Sequence, residues 1–317
     1  MFNLGNLYCN QNEKIKGFWE IENYSIPVTI ICGEKTGKVV TVCSGIHSCE
    51  YAGIQSAIEL SQDIEAKDIK GTLIILHPVN YSGFFKKVAA ILPEDGKNIN
   101  RAFPGTIQGS LSEKIAYHFS KYLYPQLDFF LDIHGGDVFE DVMPFIYAPG
   151  IGSEEIINIS HNIANEINMA YRVRSKASTG AYNSAAIQGV PALLLERGGK
   201  GCWTTDQVSE YKKDISKALV AIGVLNSSSL SKETLEKTIN QIEIKEVRYI
   251  DSHLKGYWYP ALNPEEKFKE GDLIGEIKDC FGETLHTFYA EFDGVVLYQT
   301  VSLSININDS LIAYGKL

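Results

Sequence analysis

No stretch of the chain approaches the roughly 20 consecutive apolar residues that a membrane-spanning helix needs. Met1 to Gly17 carries no apolar core of the kind that marks a secretory signal. A cytoplasmic protein is expected, with no membrane partner. No C-x-x-C pair occurs; Cys9, Cys32, Cys43, Cys49, Cys202 and Cys280 are scattered. Such cysteines are expected to stay reduced and to act as small hydrophobes. Low-complexity tracts and internal repeats are absent. No G-x-S-x-G is present, which excludes a serine nucleophile elbow. Gly33-Glu-Lys-Thr-Gly37-Lys38 is one residue short of a phosphate loop and lacks its Ser/Thr. Positive charge is scarce: 29 Lys plus Arg against 39 Asp plus Glu leave a net charge of −10 in 317 residues. That balance lacks the electrostatic footprint of a nucleic-acid binder and disfavours docking on anionic lipid. A small-molecule partner remains.

What is present is an alternation of two periodicities. Val39–Cys43, Thr72–Leu76, Phe129–Ile133 and Ala192–Leu195 are short apolar runs that read as buried strands. Between and after them, Glu50–Ile64, Ser110–Tyr124, Ser153–Ile167 and Thr204–Leu225 place apolar residues at helical spacing. Strands alternating with amphipathic helices predict an α/β domain with a mainly parallel, mixed sheet flanked by helices. The texture changes near Asn226. After a polar break at Ser227–Ser229, one more helix is expected to run to about Ile242. From there, Gly256, Gly271, Gly275, Gly282, Gly294 and Gly315 punctuate short strands, and Asp293-Gly294 reads as a hairpin turn. Residues 1–242 are therefore expected to form an α/β domain. Residues 243–317 are expected to form a smaller C-terminal all-β domain.

The chemistry is concentrated where the strands end. The first strand runs into Ser44-Gly-Ile-His47-Ser-Cys-Glu50, the third ends Leu131-Asp132-Ile-His134-Gly-Gly136, and the fourth ends Leu195-Glu196-Arg197-Gly-Gly199. In open α/β sheets, ligands bind outside the carboxyl ends of strands. A lone H-x-x-E is a weak signal, but three strand ends deliver His47, Glu50, His134 and Glu196 to one rim. Two imidazoles and a carboxylate suit zinc, and three protein ligands leave a catalytic position open. One Zn2+ per chain is expected on His47, Glu50 and His134. Glu196 is then more useful as a base, taking a proton from water and passing it to a leaving nitrogen. Asp132 is placed to orient a ligand histidine or to serve as a buried strand residue. His77, His118, His161, His253 and His286 have no metal-like partner at short spacing. A long loop after the second strand, Pro93-Glu-Asp95-Gly-Lys-Asn-Ile-Asn100-Arg101-Ala-Phe-Pro-Gly105, offers a guanidinium fork suited to a carboxylate, with an amide beside it.

Taken in order, His47-Ser-Cys-Glu50, Asp95-Gly-Lys-Asn-Ile-Asn100-Arg101-Ala-Phe-Pro-Gly105, Asp132-Ile-His134-Gly-Gly and Leu195-Glu196 resemble the succinylglutamate desuccinylase/aspartoacylase family. That family is a branch of the zinc carboxypeptidase clan, and the likeness is to its bacterial deacylase-like members. The resemblance implies zinc on His47, Glu50 and His134, Glu196 as general acid/base, and Asn100 with Arg101 on a substrate carboxylate. It implies hydrolysis of the amide of a small N-acyl amino acid or related N-acyl amine. It also implies a zinc-carboxypeptidase-like fold, with residues 1–242 as the catalytic domain, and a C-terminal barrel-sandwich-like module, residues 243–317, near the active-site mouth. Gly271-Asp-Leu-Ile-Gly-Glu-Ile277 and Phe292-Asp-Gly-Val-Val296 fit such a module, and no lysine sits in its turn for a biotin or lipoyl group.

The chain departs from the family where arginines often precede the Asn-Arg pair. Here the stretch is Phe84-Phe-Lys86-Lys87-Val-Ala-Ala90, and Lys86 is the nearest cation by offset. Tyr182, in Gly180–Asn183, is a further pocket-lining candidate, whereas Arg172 and Arg174 are read as facing either substrate or solvent, with solvent preferred. Competing readings are a zinc carboxypeptidase acting on peptides, a thiol hydrolase using Cys49, and a non-catalytic zinc- or ligand-binding relative. The β module could support a homodimer.

Overall fold

A computed structural model describes all 317 residues. Four strands form its centre, in the order Lys70–Leu76, Lys35–Ser44, Phe129–His134 and Ala192–Gly199, all parallel. Each is apolar along most of its length because both faces are covered. Alternation sorts their side chains. Leu131, Ile133, Leu193 and Leu195 pack with Ala57, Leu60, Tyr211, Ile215 and Leu219 of helices Tyr51–Asp63 and Thr205–Ile222. Phe130, Ala192 and Leu194 face the opposite core, with Phe119, Tyr124, Ala181 and Ala185.

Antiparallel strands extend the sheet on both sides. Tyr24–Cys32 and Glu13–Ile21 form a hairpin beyond Lys70–Leu76. On the other side Glu140–Pro149 lies antiparallel to Ala192–Gly199 and then forks. Its end, Ile146 to Pro149, pairs in parallel with Tyr171–Ser175, which in turn pairs with Ile242–Ile244. Its start, Glu140 to Val142, pairs with Gly294–Thr300 of the C-terminal region. Through Ser310–Lys316 and Val247–Asp251 the same sheet continues to its far edge. A second sheet of four strands, which includes Gly256–Pro260, Leu273–Lys278 and Thr284–Tyr289, closes over this extension. Trp258, Ile274, Ile277, Val296, Ile312 and Tyr314 fill the space between. The result is a mixed α/β sheet flanked by helices, with a C-terminal all-β region joined to it through the Glu140 strand.

Three details differ from the sequence reading. The helix expected after Ser229 is only Lys232–Leu235, and the chain from there to Ile242 has no regular secondary structure. Asp293-Gly294 is no hairpin turn: Thr284–Tyr289 pairs with Leu273–Lys278, while Gly294–Thr300 pairs in the other sheet. The segment is a crossover between sheets, and Asp293 instead holds the Glu270 N–H at 2.9 Å. The helix from Leu111 ends as α-helix at His118, widens into a π-helical turn through Phe119–Leu123 and closes in a short 3-10 turn at Tyr124–Gln126, which holds a proline. No helix is long and apolar enough to cross a membrane.

Candidate active site

His134 ends its strand directly opposite Glu196 of the neighbouring parallel strand. Both therefore project from the same face at the same rim. The third contributor comes from the turn after Lys35–Ser44, where His47 precedes Glu50, the N-cap residue of helix Tyr51–Asp63. A carboxylate at a helix N-terminus is favoured by the helix dipole. The Nδ1 atoms of both histidines face Glu50. His47 Nδ1 lies 2.7 Å from Glu50 Oε1, and His134 Nδ1 lies 3.0 Å from Glu50 Oε2. One ligand atom from each of the three residues falls within 4.8 Å of the others.

The other ring nitrogens have partners that hold the imidazoles in orientation. Asn98 Oδ1 lies 3.2 Å from His47 Nε2 and also accepts the Asn100 N–H at 2.8 Å. Asp132 Oδ1 lies 3.3 Å from His134 Nε2. Two residues along the strand share a face, so Asp132 sits directly behind His134. Such partners fix which nitrogen faces an ion. Tyr211, buried on helix Thr205–Ile222, ties the strand ends together: its hydroxyl lies 2.8 Å from the His134 carbonyl and 2.6 Å from that of Leu195, and accepts the His134 N–H at 3.1 Å.

The electrostatics call for a cation. Burial would raise the Glu50 carboxyl, but His134 and then His47 hold it down at about 2. Burial disfavours the His134 imidazolium, yet Glu50 and Asp132 outweigh it and lift its pKa well above the usual value. Glu196 moves the other way. Burial raises its carboxyl well above the usual range, and Glu50, Glu140 and Asp132 add to this against the pull of His134. Glu140 is pushed up to about 8 by burial, then by Asp137 and Glu50. Glu196 Oε2 and Asp132 Oδ2 are buried without a partner, and the His134 contacts to Glu50 Oε2 and Asp132 Oδ1 lie at ion-pair distance without hydrogen-bond geometry. Four carboxylates around two imidazoles, with orphaned oxygens, suit a divalent ion held by His47, Glu50 and His134.

His47, Glu50, His134, Glu140 and Glu196 open into one cavity of about 730 Å³, which also receives Asn100, Arg101 and Tyr182. Asn100 is buried, and its Oδ1 accepts the Ala181 N–H at 2.9 Å, which binds the Asn-Arg loop to the start of helix Ala181–Ile187. Arg101 is exposed at the cavity edge. Lys86 is placed elsewhere. It is exposed in the last turn of helix Tyr81–Lys86 and does not line the cavity. That helix is capped by Asn80 and ends at a left-handed Lys87; the chain then packs over the His47 turn, with Ser48 N–H donating to Ala89 O at 3.1 Å. The same loop takes the Cys49 thiol, which donates to Val88 O at 3.0 Å and does not line the cavity. A thiol nucleophile is thereby excluded.

The cations that reach the cavity besides Arg101 are Arg174, Lys176 and Lys245. Arg174 corrects the solvent-facing expectation: it lines the cavity and pairs with Glu243 at 2.6 Å. Arg172 is buried against Asn165, Gln241 and Glu243. The reason is that Tyr171–Ser175 is an interior strand with parallel neighbours on both sides, which its short polar-apolar sequence does not reveal. Arg197, next to Glu196, points to the other face and meets Asp214 at 2.5 Å. Sequence reasoning missed Asn98, Glu140 and the tyrosines Tyr147, Tyr249 and Tyr298. Asn98 was legible as part of the Asn-Arg motif; the others are contributed by strands whose pairing is non-local.

An α/β sheet with a His-Glu-His set, a facing glutamate and a β region over the rim defines a class of hydrolase folds. Within that class, the profile of the succinylglutamate desuccinylase/aspartoacylase catalytic domain matches residues 36–222. The chain belongs to that family, one of deacylase hydrolases. It is 27% identical over 292 residues to the N-alpha-acetyl-L-2,4-diaminobutyric acid deacetylase of Halomonas elongata, covering 90% of this chain and 84% of that protein. Its fold is similar to the product-bound ectoine utilization protein EutE (DoeB) from Ruegeria pomeroyi, with a TM-score of 0.86 at 22% identity over 98% of each chain. A succinylglutamate desuccinylase from Silicibacter sp. TM1040 matches with a TM-score of 0.83 at 24% identity, over 98% of this chain and 97% of that one.

Proposed function

We propose that the protein is a zinc-dependent deacylase that hydrolyses the amide of a small N-acyl amino acid. The observation that carries this reading is the register that sets Glu196 opposite His134, beside His47 and Glu50, in a single cavity. An ion held there supplies Lewis-acid chemistry, polarising the acyl carbonyl and making water more acidic. Glu196, with its raised pKa, accepts the proton of the attacking water and delivers it to the departing nitrogen. A nearby cation draws that pKa back toward neutrality, where a shuttle works best. Asn98 and Asp132 keep the imidazoles aimed at the ion. Asn100 and Arg101 hold the substrate carboxylate. Tyr147, Tyr249 and Tyr298 form a wall that limits water and favours a compact substrate over an extended peptide. The deacetylase activity named for the Halomonas elongata relative makes a small acyl group the first to test.

The test is amine release from N-acetyl, N-succinyl and N-formyl amino acids, comparing zinc-loaded with chelator-treated protein. Chelator-sensitive release that returns with zinc is expected from one or two members. No release from any member, with one zinc bound per chain, overturns the reading.

A further inference from the structure

We propose that a second pocket, which shares no residue with the catalytic cavity, binds a small aryl carboxylate. Lys16 holds the carboxylate, and the rings of Phe18, Tyr81, Phe84 and Phe85 hold the aryl group.

The pocket arises because the sheet extends past the helix that covers it. Ala57 and Leu60 of helix Tyr51–Asp63 share a core with Ile31 and Ile75. Further along the Ile31 strand, Thr29 and Pro27 lie on the same face, opposite Lys16 and Phe18 of the edge strand Glu13–Ile21. These four residues line a pocket of about 490 Å³. Helix Tyr51–Asp63 adds Ile58, Ser61 and Gln62, and helix Tyr81–Lys86 adds Tyr81, Phe84 and Phe85. The volume is that of an ordinary small-molecule site.

Its chemistry is one cation in an apolar setting. Lys14 and Lys16 leave the edge strand on the same face. Lys14 is committed to the Ile64 carbonyl at 2.7 Å and to Glu65 at 2.9 Å. Lys16 has no such partner, and no Asp or Glu lines the pocket, in a chain of net charge −10. His77 also lines it, with Nε2 2.9 Å from Thr29 Oγ1. Burial, with a smaller push from Lys16, lowers the His77 pKa to about 4, so the imidazole is neutral near pH 7. Lys16 therefore supplies the charge of the pocket, and an unpaired ammonium there suits a carboxylate.

The rings are arranged to receive another ring. Phe18 meets Tyr81 at 6.0 Å and 66°, Tyr81 meets Phe85 at 5.2 Å and 89°, and Phe85 meets Phe84 at 5.2 Å and 90°. This edge-to-face run bridges strand and helix, yet Phe18 stays 43% exposed and Phe85 68% exposed. Contiguous exposed rings mark a binding surface. An aryl group extends the run by the same geometry, which an aliphatic chain does not. The Asn80 side chain accepts the Gly83 N–H at 3.1 Å and caps the helix, so its three rings are fixed before any ligand arrives.

The test is calorimetric titration of zinc-loaded protein with 3-phenylpropionate and with its uncharged counterpart, 3-phenylpropionamide. The acid is expected to bind about three- to tenfold more tightly, by a margin that shrinks as salt rises. Lys16→Gln should bring that ratio close to one, and Lys16→Arg should keep it. Phe85→Ala should weaken both probes by about three- to tenfold. Both side chains are exposed, so fold and zinc content should stay native. Equal binding of acid and amide to the native protein overturns the proposal. So does an undiminished preference in Lys16→Gln, which would place the acid at the metal ligands instead. A pocket covered by a second copy of the chain also overturns it, read as a concentration-dependent mass in sedimentation that Phe85→Ala returns to monomer. The deacylase reading fails separately, by absence of chelator-sensitive amine release.

Discussion

The two regions that meet at the cavity are built on opposite plans. On the α/β side, His134, Glu196 and the His47 turn stand at the carboxyl ends of parallel strands whose remaining residues are almost wholly buried. Their positions are tied to two packed cores and to the Tyr211 hydroxyl behind them. On the C-terminal side, Tyr249, Asp251 and Tyr298 come from antiparallel strands packed on a separate, smaller core. Their side chains enter the cavity from mid-strand and from an exposed edge. Rigid strand ends suit groups that must be held within a fraction of an ångström for chemistry. A wall from a second β unit can change in sequence without disturbing the ligands. The difference assigns chemistry to one region and selection to the other.

The comparison can be broken most decisively on the α/β side. His134→Ala should abolish stoichiometric zinc and, with it, essentially all turnover; metal analysis showing undiminished zinc would remove His134 from the ligand set. Glu196→Gln should retain zinc and the fold yet lose about 10²–10⁴ in kcat, since the amide cannot accept a proton. Native turnover in that variant would transfer the base to another group, such as the cavity-lining Glu140. On the C-terminal side, Tyr298→Phe should leave kcat within about twofold and raise KM by about three- to tenfold, the worth of one hydrogen bond. A kcat loss as large as that of Glu196→Gln would erase the division between the regions.

The smallest effect concerns His77, which also follows a central strand but lies outside the cavity. Its Nε2 is 2.9 Å from Thr29 Oγ1, and burial, with a smaller push from Lys16, lowers its pKa to about 4. Between pH 6.5 and 4 the unfolded chain takes up a proton that the folded chain refuses. This contribution to stability is therefore complete above about pH 6.5 and is lost as pH falls toward 4; it amounts to about 3 kcal/mol. His77→Gln should flatten that part of the pH–stability curve without changing zinc content. An unchanged slope in urea titrations across pH 4–7 would show that His77 titrates normally.

His77 also marks the limit of reading strand ends from sequence. His47, His134 and Glu196 were legible because each closes an apolar run and is followed by a short-range partner or a glycine pair. His77 closes an equally apolar run, and only the absence of a nearby carboxylate set it apart. Lys86 was chosen by its offset along the chain, but the cap at Asn80 and the left-handed Lys87 fix that helix where its last turn faces outward. For Arg174 the less favoured of two readings holds, because nothing in its short strand announces parallel neighbours on both sides. Glu140 and Tyr298 gave no local signal at all, since each acquires its role from a pairing about 160 residues apart along the chain.

By itself, the sequence determined the period of each central element, the residue types able to bind an ion and transfer a proton, and their delivery to one rim. These depend on local patterning, which strand alternation and helix spacing convert directly into direction. The tertiary structure alone decided that Glu196 stands in register with His134, that Asn98 and Asp132 back the two imidazoles, and that the Glu140 strand forks to bring the C-terminal tyrosines over the cavity. Those outcomes depend on which strand pairs with which. Pairing is set by how large apolar surfaces are buried together across the whole chain, and no short window of residues records it.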